Sequence, residues 1–192
     1  TGKRESGSSR MIKLSGHAIS KIDRSDARYQ ALIEVHSRLS KKDSTIWGKG
    51  AQAEAAMRLN WIDLPESSRE LLPALDALYA KHRDKSTVIL CGMGGSSLGP
   101  EVIAQSFKKK LFILDSTDPD YVAHALNVDL AKTVVVVSSK SGSTIETASQ
   151  RALFESAFTQ ASLTPQNHMV IVTDPGSPLD KQSRDAGYSV IN

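Results

Sequence analysis

Four consecutive valines, Val134–Val137, are followed at once by a loop of small and hydroxylated residues, and this pattern constrains the fold more than any other feature of the chain. A strand that is apolar at every position is buried on both faces, which is typical of a parallel sheet covered by helices on both sides. A second apolar run, Val88–Cys91, also ends in a loop of small residues. The chain is therefore predicted to be an α/β protein in which each strand leads through a short loop into a helix.

Strand and helix patterns alternate after Asp84. Strands are predicted near residues 87–91, 111–114, 133–138, 168–173 and 188–191. Helices are predicted near residues 98–107, 118–127, 144–161 and 177–186. Strand–helix–strand units of this length form parallel sheets with right-handed crossovers, so the predicted fold is a three-layer α/β/α domain with a five-stranded parallel sheet.

A helical segment is predicted before this domain. Apolar residues at helical spacing indicate helices over about 26–39, 52–59 and 67–82. Ser25 or Asp26 is the expected N-cap of the first helix. Pro65 is expected to end regular structure, and Pro73 implies either a kink or a late start in the third helix. The predicted domains are a flexible tail over residues 1–14, a helical N-terminal segment over 15–84 and the α/β domain over 85–192.

Composition and charge exclude several functional classes. The net charge is only +3, and no basic stripe is interleaved with aromatic residues, so nucleic-acid binding is not predicted. The basic run Lys108–Lys110 is interpreted as a solvated turn before a strand, with a ligand or partner contact as the alternative. No apolar stretch approaches the about 18 residues that a membrane helix needs. A single cysteine, Cys91, excludes an intrachain disulfide and suits a reducing compartment. Its place at the end of an apolar strand predicts a buried, inert thiol.

No pattern of side chains predicts a metal site. The sequence contains no carboxylate cluster and no pair of cysteines, and its five histidines are scattered along the chain. None of these histidines falls in either small-residue loop. We therefore expect the histidines to be surface or packing residues, and we expect no bound metal.

The first small-residue loop, Gly92–Pro100, is predicted to bind phosphate. Its glycines allow the backbone to turn sharply and to approach a ligand closely, and Ser96 offers a hydroxyl and an N–H group at a helix N-terminus. Two other interpretations are open: a tight turn with no ligand, and a dinucleotide site with Asp115 at the end of the next strand. The third glycine of the dinucleotide motif would fall at Ser97, so that match is incomplete.

The second loop, Ser139–Thr144, carries four hydroxyl side chains around Lys140 and Gly142. A buried turn has no need for so many hydroxyls, and ligands of open parallel sheets bind beyond the carboxyl ends of the strands. We therefore predict that an anion binds between the two loops. Lys140 is either its counter-charge or a solvent-exposed side chain. Glu146 lies in the first turn of the following helix, where a carboxylate favours the helix dipole.

The two loops, in this order and about 45 residues apart, resemble the sugar isomerase (SIS) domain and, more narrowly, the glucose-6-phosphate isomerase family. Gly92–Pro100 resembles the first loop of that family and Ser139–Thr147 resembles its second, and the Leu-Gly-Pro end of the first loop makes the match specific. The chain departs from the family pattern at Ser97, where many members have Asp, and at Gly142-Ser143, where many have an aromatic residue or Thr. Both variants resemble a bacterial branch that includes transaldolase–isomerase fusions.

The resemblance implies an aldose–ketose isomerase that interconverts glucose 6-phosphate and fructose 6-phosphate in glycolysis and gluconeogenesis. In this family a glutamate moves a proton through a cis-enediol, and neither a redox cofactor nor a metal is required. The enzyme is expected to be cytoplasmic and, at full length, a homodimer. The resemblance implies a sugar-phosphate site formed by Gly94, Gly95, Ser96, Ser139, Lys140, Ser141 and Thr144. Ser139, Ser141 and Thr144 are expected to hold the phosphate most directly.

The catalytic residues of the family have no counterpart in these 192 residues. The family's Gly-Gly-Arg segment, base glutamate, ring-opening histidine and late lysine all lie beyond the part that the chain resembles. The chain is therefore expected to be the first SIS domain of an isomerase with its helical N-terminal extension, and to be inactive alone. Two alternatives stay open: a stand-alone SIS module that senses a sugar phosphate, and a nucleotide-binding Rossmann domain.

Overall fold

The computed structural model describes residues 16–17 and 21–192. The chain forms two compact units that divide between Ser68 and Arg69. The predicted tail, residues 1–14, lies outside the described residues. The predicted boundary between residues 84 and 85 stays a prediction, and the helix Leu72–His82 belongs to the second unit.

The first unit is helical, as expected. Its α-helices are α1 (Ala27–Ser40), α2 (Gln52–Arg58) and α3 (Leu64–Ser67). Short 3-10 helices span Ser44–Trp47, Lys49–Ala51 and Leu59–Asp63. The Asp26 carboxylate caps α1 by accepting a 2.8 Å hydrogen bond from the Arg28 N–H group, which confirms the predicted cap.

The structure corrects the interpretation of Pro65. This proline does not end regular structure; it lies in the first turn of α3. A proline is well tolerated there because the N–H group it lacks would have no partner within the helix. Pro73 takes the same position in α4, so the third helix starts late, one of the two outcomes that the sequence allowed.

The second unit contains the sheet. After a 3-10 turn, Ser68–Leu71, the helices are α4 (Leu72–His82), α5 (Gly95–Ser106), α6 (Pro119–Leu126), α7 (Ile145–Gln160) and α8 (Pro178–Asp185). The strands are β1 (Thr87–Cys91), β2 (Phe112–Leu114), β3 (Thr133–Ser138), β4 (Met169–Val172) and β5 (Ser189–Ile191). Single 3-10 turns, Leu130–Lys132 and Pro165–Asn167, precede β3 and β4. The predicted strands and helices of this unit are all present.

All four strand pairings are parallel, which confirms the predicted five-stranded parallel sheet. The strand order is β2-β1-β3-β4-β5. β3 is central, with Val135 beside Ile89 of β1 and Met169 of β4. This central place explains why β3 is apolar at successive positions, since neither of its faces meets solvent freely.

One face of the sheet forms the main core with α7. Side chains that alternate along the strands point toward Phe154 and Phe158, both of them fully buried, with ring centroids 6.3 Å apart. The strand residues on this face are Ile89, Cys91, Val135, Val137, Met169 and Ile171. Because α7 begins directly after the second loop, the packing of its two phenylalanines also fixes the position of that loop.

Candidate functional site

The two predicted loops meet at the carboxyl edge of the sheet. They follow β1 and β3, which are neighbours, and the strand order changes direction between these two strands. A Cβ atom placed on Gly92 would lie 3.2 Å from the carbonyl oxygen of Ser138, so the loops touch where they begin. An edge where the strand order reverses is the usual ligand site of an open α/β sheet.

The first loop turns on Gly94. Its φ of 60° and ψ of −124° lie in a region that residues with a Cβ atom rarely adopt. A Cβ atom there would meet nothing within 4 Å, so the requirement for glycine is conformational rather than steric. This turn places Gly95 and Ser96 in the first turn of α5, with their backbone at the open edge of the sheet.

The two serines of the first loop have different environments. The fully buried Ser97 donates a 2.9 Å hydrogen bond to the Gly94 carbonyl, and its hydroxyl lies 3.4 Å from the Asp115 carboxylate. The Ser96 side chain is half-buried and forms no hydrogen bond in the described part of the chain. Ser97 therefore stabilises the turn, whereas Ser96 remains available to a ligand.

The second loop uses some of its hydroxyls internally. The buried Ser139 side chain accepts a 3.1 Å hydrogen bond from the Gly142 N–H group. The Ser141 and Ser143 hydroxyls pair with each other at 2.7 Å, and Ser141 also accepts from the Ser143 N–H group. These bonds shape the loop, and they leave the Ser139 proton without an acceptor among the described residues.

Thr144 is the N-cap of α7, yet its hydroxyl makes no capping hydrogen bond. The first N–H group that bonds within this helix is that of Ala148, which donates to the Thr144 carbonyl at 3.0 Å. Within the described part of the chain, the N–H groups of the first turn are therefore unpaired. The dipole of a 16-residue helix adds positive potential at this point. The Thr144 hydroxyl, the N–H groups of the first turn and the dipole of α7 together favour the binding of an anion.

Lys140 and Glu146 flank the loop. The Lys140 side chain is exposed and forms no ion pair within the described residues, so it is free to approach an anion. Glu146 lies in the first turn of α7 and is half-buried. The structure thus brings all seven predicted ligand residues to one edge of the sheet, on two adjacent loops.

The segment that follows β4 supports the second loop, and sequence reasoning missed this role. The Thr173 hydroxyl and the Asp174 N–H group both donate to the Lys140 carbonyl, each at 3.2 Å. Asp180 holds the same segment by accepting from the Gly176 N–H group, and this bond together with Arg184 lowers the pKa of its carboxyl. The motif Thr-Asp-Pro-Gly-Ser predicts only a turn before a helix, and nothing in it indicates a contact with the second loop.

Two of the residues that were expected to be inert, His168 and Cys91, have buried side chains. His168 precedes β4 at the opposite edge, where it is buried, stacks on Phe158 and bonds to the Thr133 carbonyl. Cys91 is fully buried, and burial raises the pKa of its thiol to about 12, so it carries no thiolate at neutral pH. Among the described residues, no group of three or more histidine, cysteine or carboxylate side chains is placed to hold a metal ion. No helix in that part of the chain is both long and apolar enough to cross a bilayer.

The fold and the site define a class: an open, doubly wound α/β protein with two anion-type loops at the point where the strand order reverses. Comparison with known proteins narrows the class to one family. The family model described as phosphoglucose isomerase matches residues 78–181, which include both loops. The chain belongs to the phosphoglucose isomerase family.

Individual relatives agree with this family. The chain is 38% identical over 125 residues to a glucose-6-phosphate isomerase of Chlamydia trachomatis, covering 62% of this chain and 24% of that protein. It is 29% identical over 185 residues to that of Chlamydia abortus, covering 92% of this chain and 33% of that protein. The chain thus spans about a quarter to a third of the curated relatives it matches.

Solved structures show the same architecture. A crystal structure of a glucose-6-phosphate isomerase from Chlamydia trachomatis aligns with a TM-score of 0.60 and 33% identity, covering 80% of this chain and 30% of that one. A hypothetical protein from Thermus thermophilus aligns with a TM-score of 0.70 and 27% identity, and the alignment covers 91% of this chain and 40% of that one. Both alignments support the three-layer α/β/α fold.

Proposed function

We propose that this chain is the sugar-phosphate-binding part of a glucose-6-phosphate isomerase. The phosphate of glucose 6-phosphate or fructose 6-phosphate would bind between the two loops at the β1–β3 edge. The single observation that carries the proposal is the N-terminus of α7, where the Thr144 hydroxyl and the first-turn N–H groups have no partner among the residues that the structure describes. The names of the relatives support the choice of sugar phosphate over other anions.

The residues of the two loops would contact the phosphate in different ways. Ser96, Ser139 and Thr144 would donate hydroxyl hydrogen bonds, and the backbone at Gly94 and Gly95 would allow close approach. Ser141 would contribute its hydroxyl or its N–H group, and Lys140 would supply positive charge. Hydrogen bonds to a charged phosphate are worth about 1.5–3 kcal/mol each, so a few of them suffice for a measurable affinity.

Proton transfer would depend on groups that this chain does not contain. A general base must lie within about 2.6–3.2 Å of the proton that it removes. The two loops contain no histidine, and Glu146 is the only carboxylate in either loop motif. Losing an acid or base costs about 10²–10⁴-fold in rate, so the 192-residue chain alone is proposed to bind substrate without isomerising it.

A titration tests the binding site. We would add fructose 6-phosphate, fructose or NAD to ¹⁵N-labelled protein and follow the backbone amide signals. Fructose 6-phosphate is expected to shift amides of both loops, while fructose without phosphate leaves them unchanged. Shifts caused by NAD alone would favour the nucleotide-binding alternative. The strand order β2-β1-β3-β4-β5 already differs from the 3-2-1-4-5-6 order of that fold.

A coupled assay tests the catalytic part of the proposal. Protein freed of host isomerase is expected to give no turnover of glucose 6-phosphate above background. Turnover near that of a full-length isomerase that is lost in Glu146→Gln would show that the catalytic centre lies at the second loop. Binding without turnover is expected both for the first domain of an isomerase and for a stand-alone sensing module. The native reading frame distinguishes these two proteins, because an isomerase needs a second SIS domain.

The proposal also covers the cellular location and the oligomeric state of the protein. We place the protein in the cytoplasm, which suits a glycolytic isomerase and a chain whose single cysteine allows no intrachain disulfide. We also infer that the full-length protein is a homodimer and has neither nucleic-acid nor membrane partners. Size-exclusion chromatography with light scattering on the full-length protein would check the oligomeric state.

A further inference from the structure

We propose that Thr173, a residue outside both loops, is a positioning residue for anion binding. Its hydroxyl would fix the Lys140 carbonyl and thereby orient the Ser141 N–H group toward the phosphate. The inference rests on the proposed function, because it assumes that the second loop binds an anion.

The Lys140 carbonyl is held from the β4–α8 segment by two donors. The Thr173 hydroxyl and the Asp174 N–H group each lie 3.2 Å from this oxygen. A carbonyl oxygen has two lone pairs, so these two bonds satisfy it completely. Thr173 is 5% exposed, and its own carbonyl accepts a 3.0 Å hydrogen bond from the Asn192 side chain, so its backbone is also fixed.

The direction of each hydrogen bond follows from the number of protons. The Lys140 carbonyl oxygen can only accept a hydrogen bond, so the single proton of the Thr173 hydroxyl must point to that oxygen. Thr173 must therefore accept in its 2.9 Å contact with the Ser177 hydroxyl. Ser177 in turn accepts from the Asp180 N–H group at 3.0 Å, as the N-cap of α8. One chain of bonds thus runs from the start of α8 to the second loop.

Fixing the Lys140 carbonyl fixes the next N–H group. The peptide unit is planar, and in the trans form its C=O and N–H bonds point in opposite directions. The Lys140 oxygen points to Thr173, so the Ser141 N–H group points away from the β4–α8 segment. That N–H group forms no hydrogen bond within the described part of the chain. Rotation of this one peptide plane would turn the donor away from the anion.

Three variants test this role. Thr173→Val keeps the shape of the side chain and removes the hydroxyl, while Thr173→Ser keeps the hydroxyl. Thr133→Val is the matched control, because Thr133 is an equally buried threonine whose hydroxyl bonds to the Asp129 carbonyl at the other end of the strands. The measurements are the dissociation constants for inorganic phosphate and fructose 6-phosphate, the Ser141 amide signal and the free energy of unfolding.

Thr173→Val is expected to weaken phosphate binding about tenfold and to move the Ser141 amide signal. Thr173→Ser should stay within about twofold of the wild-type affinity, since it restores the donor. Thr133→Val should lower stability and leave the affinity unchanged. If Thr173→Val does not fold, Thr173→Ala replaces it, and it should weaken binding by a similar factor because it also removes the hydroxyl that donates to the Lys140 carbonyl.

Each result bears on one proposal or the other. Wild-type affinity in Thr173→Val, or equal weakening in Thr173→Ser, would overturn the positioning role. Wild-type affinity in Thr173→Ala would overturn it where that variant is the one tested. A wild-type protein that binds phosphate but not fructose 6-phosphate would overturn the proposed function and leave this inference intact if Thr173→Val still weakens phosphate binding. A wild-type protein that binds neither would overturn both.

Discussion

Leu179 of α8 fills the volume in which a side chain at residue 142 would begin. A Cβ atom placed on Gly142 would overlap the Cβ atom of Leu179, and Gly142 has a φ of 72°, in the left-handed region. The second loop and α8 therefore pack in direct contact through a glycine. This contact and the positive φ together require a residue without a Cβ atom at position 142.

Gly142→Ala is expected to lower the free energy of unfolding by about 1–3 kcal/mol, because it combines a strained φ with an overpacked contact. The matched control is Gly99→Ala. Gly99 lies inside α5 with nothing within 4 Å of an added Cβ atom, so this change should be neutral or should stabilise the helix by up to about 1 kcal/mol. Urea denaturation of both variants measures the difference, and equal stability would contradict the packing argument.

Ser97→Asp is expected to destabilise the protein by about 2 kcal/mol or more. The Ser97 side chain is fully buried and lies 3.4 Å from the Asp115 carboxylate, so the variant would bring two carboxylates together away from water. Ser97→Ala removes the hydroxyl that contacts the Gly94 carbonyl and the Asp115 carboxylate, adds no charge, and should cost about 1 kcal/mol. Thermal unfolding compares the two, and an equal loss for both would show that charge is not the cause.

Thr144→Ala is expected to weaken binding of fructose 6-phosphate about tenfold or more, because the lost hydroxyl would donate to a charged phosphate. The control is Thr159→Ala near the other end of α7, where the hydroxyl bonds only to the Glu155 carbonyl. That variant should bind like the wild type. Isothermal titration calorimetry gives both affinities, and an unchanged affinity in Thr144→Ala would remove this residue from the site.

Asp180 is expected to make stability depend on pH in the acid range. Hydrogen bonds from Gly176 and Arg184 lower the pKa of its carboxyl in the folded state, so the folded state binds its proton less readily than the unfolded state. This contribution is complete above the unfolded pKa of about 4 and is lost as the pH falls through the folded pKa. Asp180→Asn should therefore be less stable at pH 7 and show a shallower decrease below pH 5 in urea unfolding. Parallel curves for the two proteins would contradict this role.

The sequence by itself determined the class of the fold and the order of its elements. Val134–Val137 identified a strand buried on both faces, and the strand–helix alternation after Asp84 identified a parallel sheet. These features are readable because periodicity, N-caps and strand-end glycines depend on neighbours along the chain. The two serine loops were readable for the same reason, as was the family they resemble.

The tertiary structure alone decided which residues within the site support one another. The bond from Thr173 to the Lys140 carbonyl joins positions 33 residues apart, and the contact between Gly142 and Leu179 joins two different crossovers. The sequence of the second loop does not indicate that it contacts the β4–α8 segment, nor does the sequence of that segment. Such contacts depend on the strand order β1-β3-β4 and on the packing of α8. The different environments of Ser96 and Ser97 were also decided by the tertiary structure. The turn at Gly94 buries Ser97 and leaves its neighbour Ser96 accessible.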